Sequence, residues 1–343
     1  MKLTLEGIKD KQLWSQAGIE LPSYDLEELA QRTKEAPVWV HFGIGNIFRI
    51  FIGSIADRLI TDGLMDRGIV CVETFDYETI DRIYKPYDNL SLSVILNNDG
   101  TTEKRVFGCF TEARKGVPDG TEDRQRLREI FANPSLQMVS FTITEKGYAL
   151  RGADGQYYRF IQDDIDYGPD RAAGAVAIIA AMLLERYRAG AKPLALVSMD
   201  NCSHNGEKLR SAVLEIGQEW KKKGFVDEEF LSYISDEEKI AFPWSMIDKI
   251  TPRPSEAVKA MLQDAGVEDM DIVVTDKQTY IAPFVNAEEP QYLVVEDHFP
   301  NGRPALEKAG VYMTSREIVN KAERMKVTVC LNPVSYTHLT LPT

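Results

Sequence analysis

Three observations predict an α/β chain organised around a doubly wound sheet. Val38–Arg49 (VWVHFGIGNIFR) runs a short apolar strand into a glycine-bearing turn and then opens an amphipathic segment. Met138–Glu145 (MVSFTITE) and Pro193–Met199 (PLALVSM) are further apolar strands that each end in polar, turn-forming residues. Between them Ala172–Arg188 reads as a helix closed by Gly190 and Pro193, so strand and helix alternate as crossover units require.

Taken in order, Met1–Ala36 offers apolar Leu13, Trp14, Leu21 and Leu26 and a helix start at Ser23 or Asp25, an arm expected to lie over the sheet domain. Gly43 and Gly45 then let the backbone turn tightly and approach a pyrophosphate, while the following helix turns unpaired N–H groups and a positive dipole end toward it. Ile47, Phe48, Phe51, Ile52, Ile55 and Leu59 recur at helical spacing, so that helix packs on a sheet. Phe48 stands where a full fingerprint has its third glycine, and Asn46 and Arg49 join the two glycines as candidate cofactor contacts. The next strand, Gly68–Val72, ends in Glu73 with Asp76 close behind. A carboxylate there accepts hydrogen bonds from the adenosine ribose and repels the extra phosphate of NADP, which favours NAD. The interval from Gly43 to Glu73 exceeds the roughly 20 residues usual for the motif, so the crossover helix is long or followed by an extended loop.

Ser91–Leu96 (SLSVIL), the turn signal Asn97-Asn98-Asp99-Gly100 and Glu103–Phe110 (EKRVFGCF) read as a hairpin, and Leu127–Phe131 as a short helix. Ligands gather at the carboxyl ends of strands in a doubly wound sheet, which places Thr144 and Glu145 near the nicotinamide half of a cofactor. DNCSHNG (Asp200–Gly206) follows the next strand and precedes an amphipathic helix over Glu207–Lys221. Asn201 there reads either as an N–H donor to a substrate oxygen or as an ordinary turn residue. FPWSMIDKITP (Phe242–Pro252) carries Asp248 and Lys249, an ion pair or a substrate contact. Asp271–Asp276 and Tyr292–Glu296 read as strands, and TSREIVNKAERMKVTVCLNP as a helix capped by Thr314 or Ser315 and closed by Pro333.

A net charge of −13 over 343 residues argues against nucleic acid or an anionic membrane as partner, since both need a basic face, and leaves room for a locally positive cleft that takes an anionic substrate. No apolar run is long enough to span a bilayer, and MKLTLEGIKDKQ lacks the apolar core of a signal peptide. Cys71, Cys109, Cys202 and Cys330 are widely spaced, which fits a reducing compartment, so the chain is expected in the cytoplasm. His41, His204, His298 and His338 are equally scattered, with no H-E-x-x-H pattern, and no catalytic metal is expected.

With HFGIGNIFR, TITEKGY, SMDNCSHNG, FPWSMIDKITP and MKVTVCLNP in this order, the chain from Trp39 to Pro333 resembles the mannitol dehydrogenase family of polyol-specific long-chain dehydrogenases. The resemblance implies a Rossmann-type N-terminal domain followed by a mostly helical C-terminal domain. It also implies zinc-independent, NAD(P)-linked interconversion of a secondary alcohol and a ketone. Lys326 would be the base for alcohol oxidation and the acid for ketone reduction, with Asn201 and Asn332 holding the developing alkoxide. An amide donor fixed on an oxyanion contributes on the order of 3 kcal/mol, so this chemistry needs no metal. Within the family the likeness points to a small-molecule sugar acid, D-mannonate and its ketone D-fructuronate, with tagaturonate, or mannitol and fructose, as alternatives. Lys249, Arg253 and Arg303 are the basic residues available for a sugar carboxylate.

Ser335 occupies the place of the family's histidine, and Lys326 and Asn332 stand six apart, one more than in the mannitol branch. VSYTHLTLPT has no likeness to the family. The expected organisation is an arm over 1–36, the cofactor domain over 37–285, the start of a truncated helical domain over 286–333 and a foreign tail over 334–343. On that reading the chain binds NAD(H) weakly and turns over little substrate; the alternative of another class is an NAD-binding fragment without chemistry.

Overall fold

The computed structural model describes residues 1–330 except Asp119 and Pro290, with side chains through Lys326. In chain order the strands begin with β1 (Trp39–Phe42), β2 (Ile69–Glu73), β3 (Ser91–Leu96), β4 (Thr102–Phe107) and β5 (Phe110–Lys115). They continue with β6 (Met138–Phe141), β7 (Leu194–Ser198), β8 (Ile240–Ala241), β9 (Ser245–Asp248) and β10 (Val273–Val274). The last are β11 (Tyr280–Ile281), β12 (Phe284–Glu288), β13 (Tyr292–Glu296) and β14 (Tyr312–Thr314).

Six strands form one wholly parallel sheet in the order β5-β2-β1-β6-β7-β8. Every residue of β1, β2, β6 and β7 is buried, as strands covered on both faces must be. Alternate side chains serve the two faces. Val40, Phe42, Val70, Val72, Val139 and Phe141 meet the helix Ala175–Arg188, whose Val176–Leu184 run is entirely buried. Trp39, Ile69, Cys71 and Met138 meet the helical run that follows Gly45. The sheet's growth reverses direction beside β1, so the switch point of this doubly wound topology lies between β1 and β6.

A polar pin crosses that switch point inside the core. Trp39 Nε1 donates to Ser140 Oγ at 2.7 Å, and the His41 ring nitrogens meet Ser140 Oγ at 2.6 Å and Thr142 Oγ1 at 2.9 Å. His41 also stacks on Phe48 with ring centroids 4.1 Å apart, and burial pushes its pKa down to about 3. The imidazole is thus a neutral structural group that joins β1 to β6.

Several elements differ from expectation for local reasons. The strand expected over Met138–Glu145 stops at Phe141, because its partner β1 ends where Gly43 turns; Thr144–Tyr148 is a helical turn instead. The hairpin of β3 and β4 forms in the expected register region, but its return strand ends at Phe107. A Cβ on Gly108 would lie 2.2 Å from Leu26 Cδ2, and after this tight passage the chain re-enters the main sheet as β5. The expected short helix at Leu127–Phe131 is the C-terminal half of Glu122–Ala132, capped by Thr121 on the Arg124 N–H. The Asp271–Asp276 strand shrinks to Val273–Val274.

Asn286, the expected start of the helical part, falls inside β12, which pairs with β3, while β13 and β14 join β9 in a further sheet; apart from the 3-10 turn Leu306–Ala309, the next helix starts at Arg316. The N-terminal arm divides: Leu3, Ile8, Trp14 and Ile19 pack with β3, β4 and the helix Glu256–Asp264. The helix Leu26–Glu35, capped by Asp25, instead sits beside β5, with Thr33 Oγ1 accepting the Gly68 N–H just before β2 at 2.8 Å. Among the described residues no helix is long and apolar enough to cross a membrane.

His41 gives the fold a definite pH dependence. The unfolded imidazole titrates near 6.5, so as pH falls from about 6.5 toward 3 the unfolded chain binds a proton that the folded chain refuses. Stability from the neutral ring is complete above pH 6.5 and falls by about 1.4 kcal/mol per pH unit below it. Urea unfolding at pH 7, 6 and 5 should show this slope, and His41→Gln should reduce it by about one proton; equal slopes would refute the assignment.

Candidate active site

The cradle at the end of β1 rests on one backbone requirement. Gly43 has φ +87°, and a Cβ there would stand 2.2 Å from the Thr142 carbonyl oxygen, so no other residue fits. Gly45 is the opposite case: nothing lies within 4 Å of the place a Cβ would take, and its backbone opens onto free space. The helical run starts at Asn46, passes through a π-turn over Phe48–Ile52 and continues as Gly53–Thr61. Its first N–H groups have no acceptor within the helix and face the opening, which fits a diphosphate. Phe48, at the third-glycine position, fills the helix–sheet gap by stacking on His41.

Glu73 closes the cradle from β2. Its Oε1 accepts the N–H groups of Thr74 and Phe75 at 2.9 Å and of Asp76 at 3.4 Å, and its Oε2 accepts from Ile44 at 3.4 Å. Burial pushes the carboxyl pKa up against these donors. Oε2 has one long bond and retains capacity for a ribose hydroxyl.

Three other expected cofactor contacts are committed elsewhere. Asp76 is buried with Oδ2 2.6 Å from Thr275 Oγ1, because its side chain turns toward the Thr275–Tyr280 turn. Arg49, 1% exposed, donates to the Ala282 carbonyl at 2.7 Å and to Asn46 Oδ1 at 2.8 Å. Asn46 Nδ2 in turn donates to the Tyr280 carbonyl at 3.2 Å. Asn46 and Arg49 therefore staple the β11 segment beneath the cradle, where a buried guanidinium favours an anion above it.

The ends of β6 and β7 are joined by Asp200, a residue the sequence reading passed over. Its carboxylate accepts the N–H of Ile143 at 3.0 Å and of Thr144 at 2.8 Å, together with the Tyr148 hydroxyl at 2.5 Å. Burial raises its pKa. Thr144 is held at φ +67° by this bond, so its backbone rather than its side chain is what the site fixes. Glu145 is exposed and paired with Lys208 at the rim.

Asn205, fully buried, extends the network. Its Nδ2 donates to the Asp200 and Ser245 carbonyls at 3.0 and 2.9 Å, and its Oδ1 accepts the N–H groups of Gly206 and Ser245 at 2.8 and 3.0 Å. β7 is thereby locked to β9. The helix Asn205–Lys223 starts two residues earlier than expected, and the Asn205 amide takes up the Gly206 N–H of its first turn.

The catalytic candidates meet beside the end of β9. Lys326 Nζ, on the helix Arg316–Cys330, donates to Asn201 Oδ1 at 3.1 Å and to the Ile247 carbonyl at 2.6 Å, and pairs with Asp248 at 3.1 Å. Asn201 and Lys326 are 125 residues apart in sequence and meet here. Asp248 is thus engaged with Lys326, whereas Lys249 donates to the Glu288 carbonyl. Arg316 anchors the helix start on Glu296 at 3.0 Å, and Glu296 also accepts the Trp244 N–H. His204 donates its N–H to Glu323, one turn before Lys326, and its ring lies against Trp244. Asn332, Pro333, Ser335 and His338 lie outside the described residues.

A parallel sheet of this order, with a left-handed glycine and a helix N-terminus at its switch point, is a Rossmann-type α/β domain. Residues 38–308 match the mannitol dehydrogenase Rossmann domain, and the chain belongs to the mannitol dehydrogenase family. It is 52% identical over 336 residues to a D-mannonate oxidoreductase of Thermotoga maritima, covering 97% of this chain and 62% of that protein. Identity is 30% over 316 residues to a mannitol 2-dehydrogenase of Cereibacter sphaeroides, covering 90% of this chain and 58% of the other. The solved ternary complex of Pseudomonas fluorescens mannitol 2-dehydrogenase with NAD and D-mannitol superposes with a TM-score of 0.75 at 28% identity, over 95% of this chain and 60% of that one. The chain therefore spans about three-fifths of the length of these relatives.

The two glycines should separate in experiment. Gly43→Ala must relieve both a forbidden φ and a 2.2 Å overlap, and should cost at least about 1–3 kcal/mol in urea unfolding. Gly45→Ala should leave the unfolding midpoint unchanged while weakening NADH binding in a fluorescence titration, because its methyl enters only the open side of the cradle. Normal NADH affinity in Gly45→Ala would refute the cradle.

Proposed function

We propose that the chain carries the cofactor half and the catalytic lysine of an NAD-dependent oxidoreductase that interconverts D-mannonate and D-fructuronate. The contact of Lys326 with Asn201 at the carboxyl end of β7 carries this reading, since it joins a proton-transfer group to an amide beside the switch-point cradle. The similarity to a D-mannonate oxidoreductase supports the sugar acid, and that to an NAD complex supports the cofactor. Bound NAD would supply the hydride acceptor for alcohol oxidation.

The chain's own residues do the rest. Gly43, Gly45 and the Asn46–Phe48 N–H groups hold the diphosphate, and Glu73 Oε2 takes a ribose hydroxyl. Lys326 has its donors directed at Asn201, Ile247 and Asp248. The Asp248 side chain is 56% exposed, so this ion pair is the one a substrate hydroxyl displaces. Lys326 then takes the hydroxyl proton during oxidation and returns it during reduction. Asn201 accepts from Lys326 through Oδ1, leaving Nδ2 to donate to the alkoxide. Asn332 is the proposed second donor. Arg303 is neutralised by Asp297 and Glu307, so Lys249 and Arg253 are the cations left for the sugar carboxylate. The segment from Arg316 onward is proposed as the start of the helical domain, and the scattered cysteines support a reducing, cytoplasmic location as part of the same reading.

Substrate assays use this chain extended by the remaining part of the Thermotoga maritima relative, with D-fructuronate, D-tagaturonate and D-fructose offered alongside NADH. D-Fructuronate should be reduced fastest. Lys326→Ala should lower kcat by about 10²–10⁴-fold with NADH affinity unchanged. A variant that retains most of its kcat would remove Lys326 from the proton-transfer role.

A further inference from the structure

The loop behind β2 presents an unexplained aromatic. Phe75 is 66% exposed, and none of the hydrophobic clusters includes it. Its backbone is nevertheless fixed, because Glu73 Oε1 accepts its N–H at 2.9 Å together with those of its two neighbours. A rigid loop that holds a large apolar ring in water has prepaid the ordering cost of a contact not yet made.

A second segment is drawn to this ring. Thr275 Oγ1 donates to Asp76 Oδ2 at 2.6 Å, and the Asp276 N–H donates to Glu78 Oε1 at 2.7 Å. These two bonds dock the Thr275–Tyr280 turn against the β2 loop. Lys277, at its tip, lies with Nζ 5.1 Å from the centroid of Phe75. Asp76 thus has a positioning task, and the ammonium covers one side of a ring whose remainder is open.

We propose that Phe75 is the stacking face for the adenine of the bound dinucleotide, oriented by Lys277 from its other side. The inference rests on the NAD reading of the cradle. Glu73 ties the two together: Oε2 reaches the Ile44 N–H in the glycine turn, while Oε1 holds the Phe75 N–H. A ribose addressed by Oε2 carries its base outward along the loop that bears Phe75. Purine and benzene rings stack through dispersion and apolar contact without base-specific hydrogen bonds.

The test is a calorimetric titration of the full chain with NADH and with AMP. Phe75→Ala should weaken both by roughly tenfold, as losing one aromatic–base stack does elsewhere, with an unchanged thermal midpoint because the ring is exposed. Phe75→Tyr should restore affinity to within about twofold. Unchanged NADH and AMP affinity in Phe75→Ala would overturn the stacking role while leaving the cradle standing, and so would a loss that Phe75→Tyr fails to restore. A wild-type chain that binds neither ligand would sink the cofactor reading and this inference with it.

Discussion

Everything at the ligand-facing edge of this molecule depends on the close approach of two backbones at the switch point. β1 must leave the sheet just where β6 arrives, and Gly43 does so with a left-handed φ against the Thr142 carbonyl. Thr142 Oγ1 answers by donating to the Gly43 carbonyl at 2.7 Å, so the two strand ends are tied as well as adjacent. Beneath them the Trp39, His41, Ser140 and Thr142 side chains satisfy one another in the core. A buried polar cluster is tolerable only when its donors find acceptors, and this one gains from that constraint a fixed register of β1 on β6.

From that fixed edge a second network radiates across β7 to β9. Asp200 gathers the loop after β6, and Asn205 gathers β9, each by accepting or donating several bonds from inside the protein. Ser245 Oγ adds a bond to the Ser198 carbonyl at 2.5 Å. The charged and amide groups proposed to meet ligand are therefore not free-standing. Asn201 follows Asp200 directly, and Asp248 ends the strand that Ser245 begins. Such second-tier polar groups hold a site to the tolerance that proton transfer requires, since a displacement of about 1 Å is enough to cost catalysis.

Two carboxylates illustrate how the site differs from the surface around it. Glu73 and Asp200 are buried and their pKa values are raised by burial, yet each is held by backbone N–H groups from the loop it organises. Away from the site, Glu112 is also mostly buried, but the guanidiniums of Arg126 and Arg114 hold it below the usual carboxylate range. That group is balanced by neighbouring charge. The site carboxylates are balanced by backbone dipoles instead, while the buried Arg49 guanidinium is spent on the Ala282 carbonyl and Asn46.

Much of this was legible in the sequence, because it follows from local rules. The apolar runs at β1, β6 and β7, the helix Ala175–Arg188 and the G-x-G turn are each written in periods of two or about four residues and in glycine's freedom of φ. Ordered motifs also carried the family and, through it, Lys326 and Asn201. The sequence could not say that Asp76 and Arg49 would be spent on the Thr275–Ala282 segment, some 200 residues away, or that Asp200 and Asn205 would hold the site together. Nor could it show that residues 286–314 would complete sheets before the α-helix at Arg316. Periodicity reports which face of an element is buried. Only the tertiary structure decides which distant donor each buried polar group meets, because that choice is made by the packing of whole elements and leaves no local pattern.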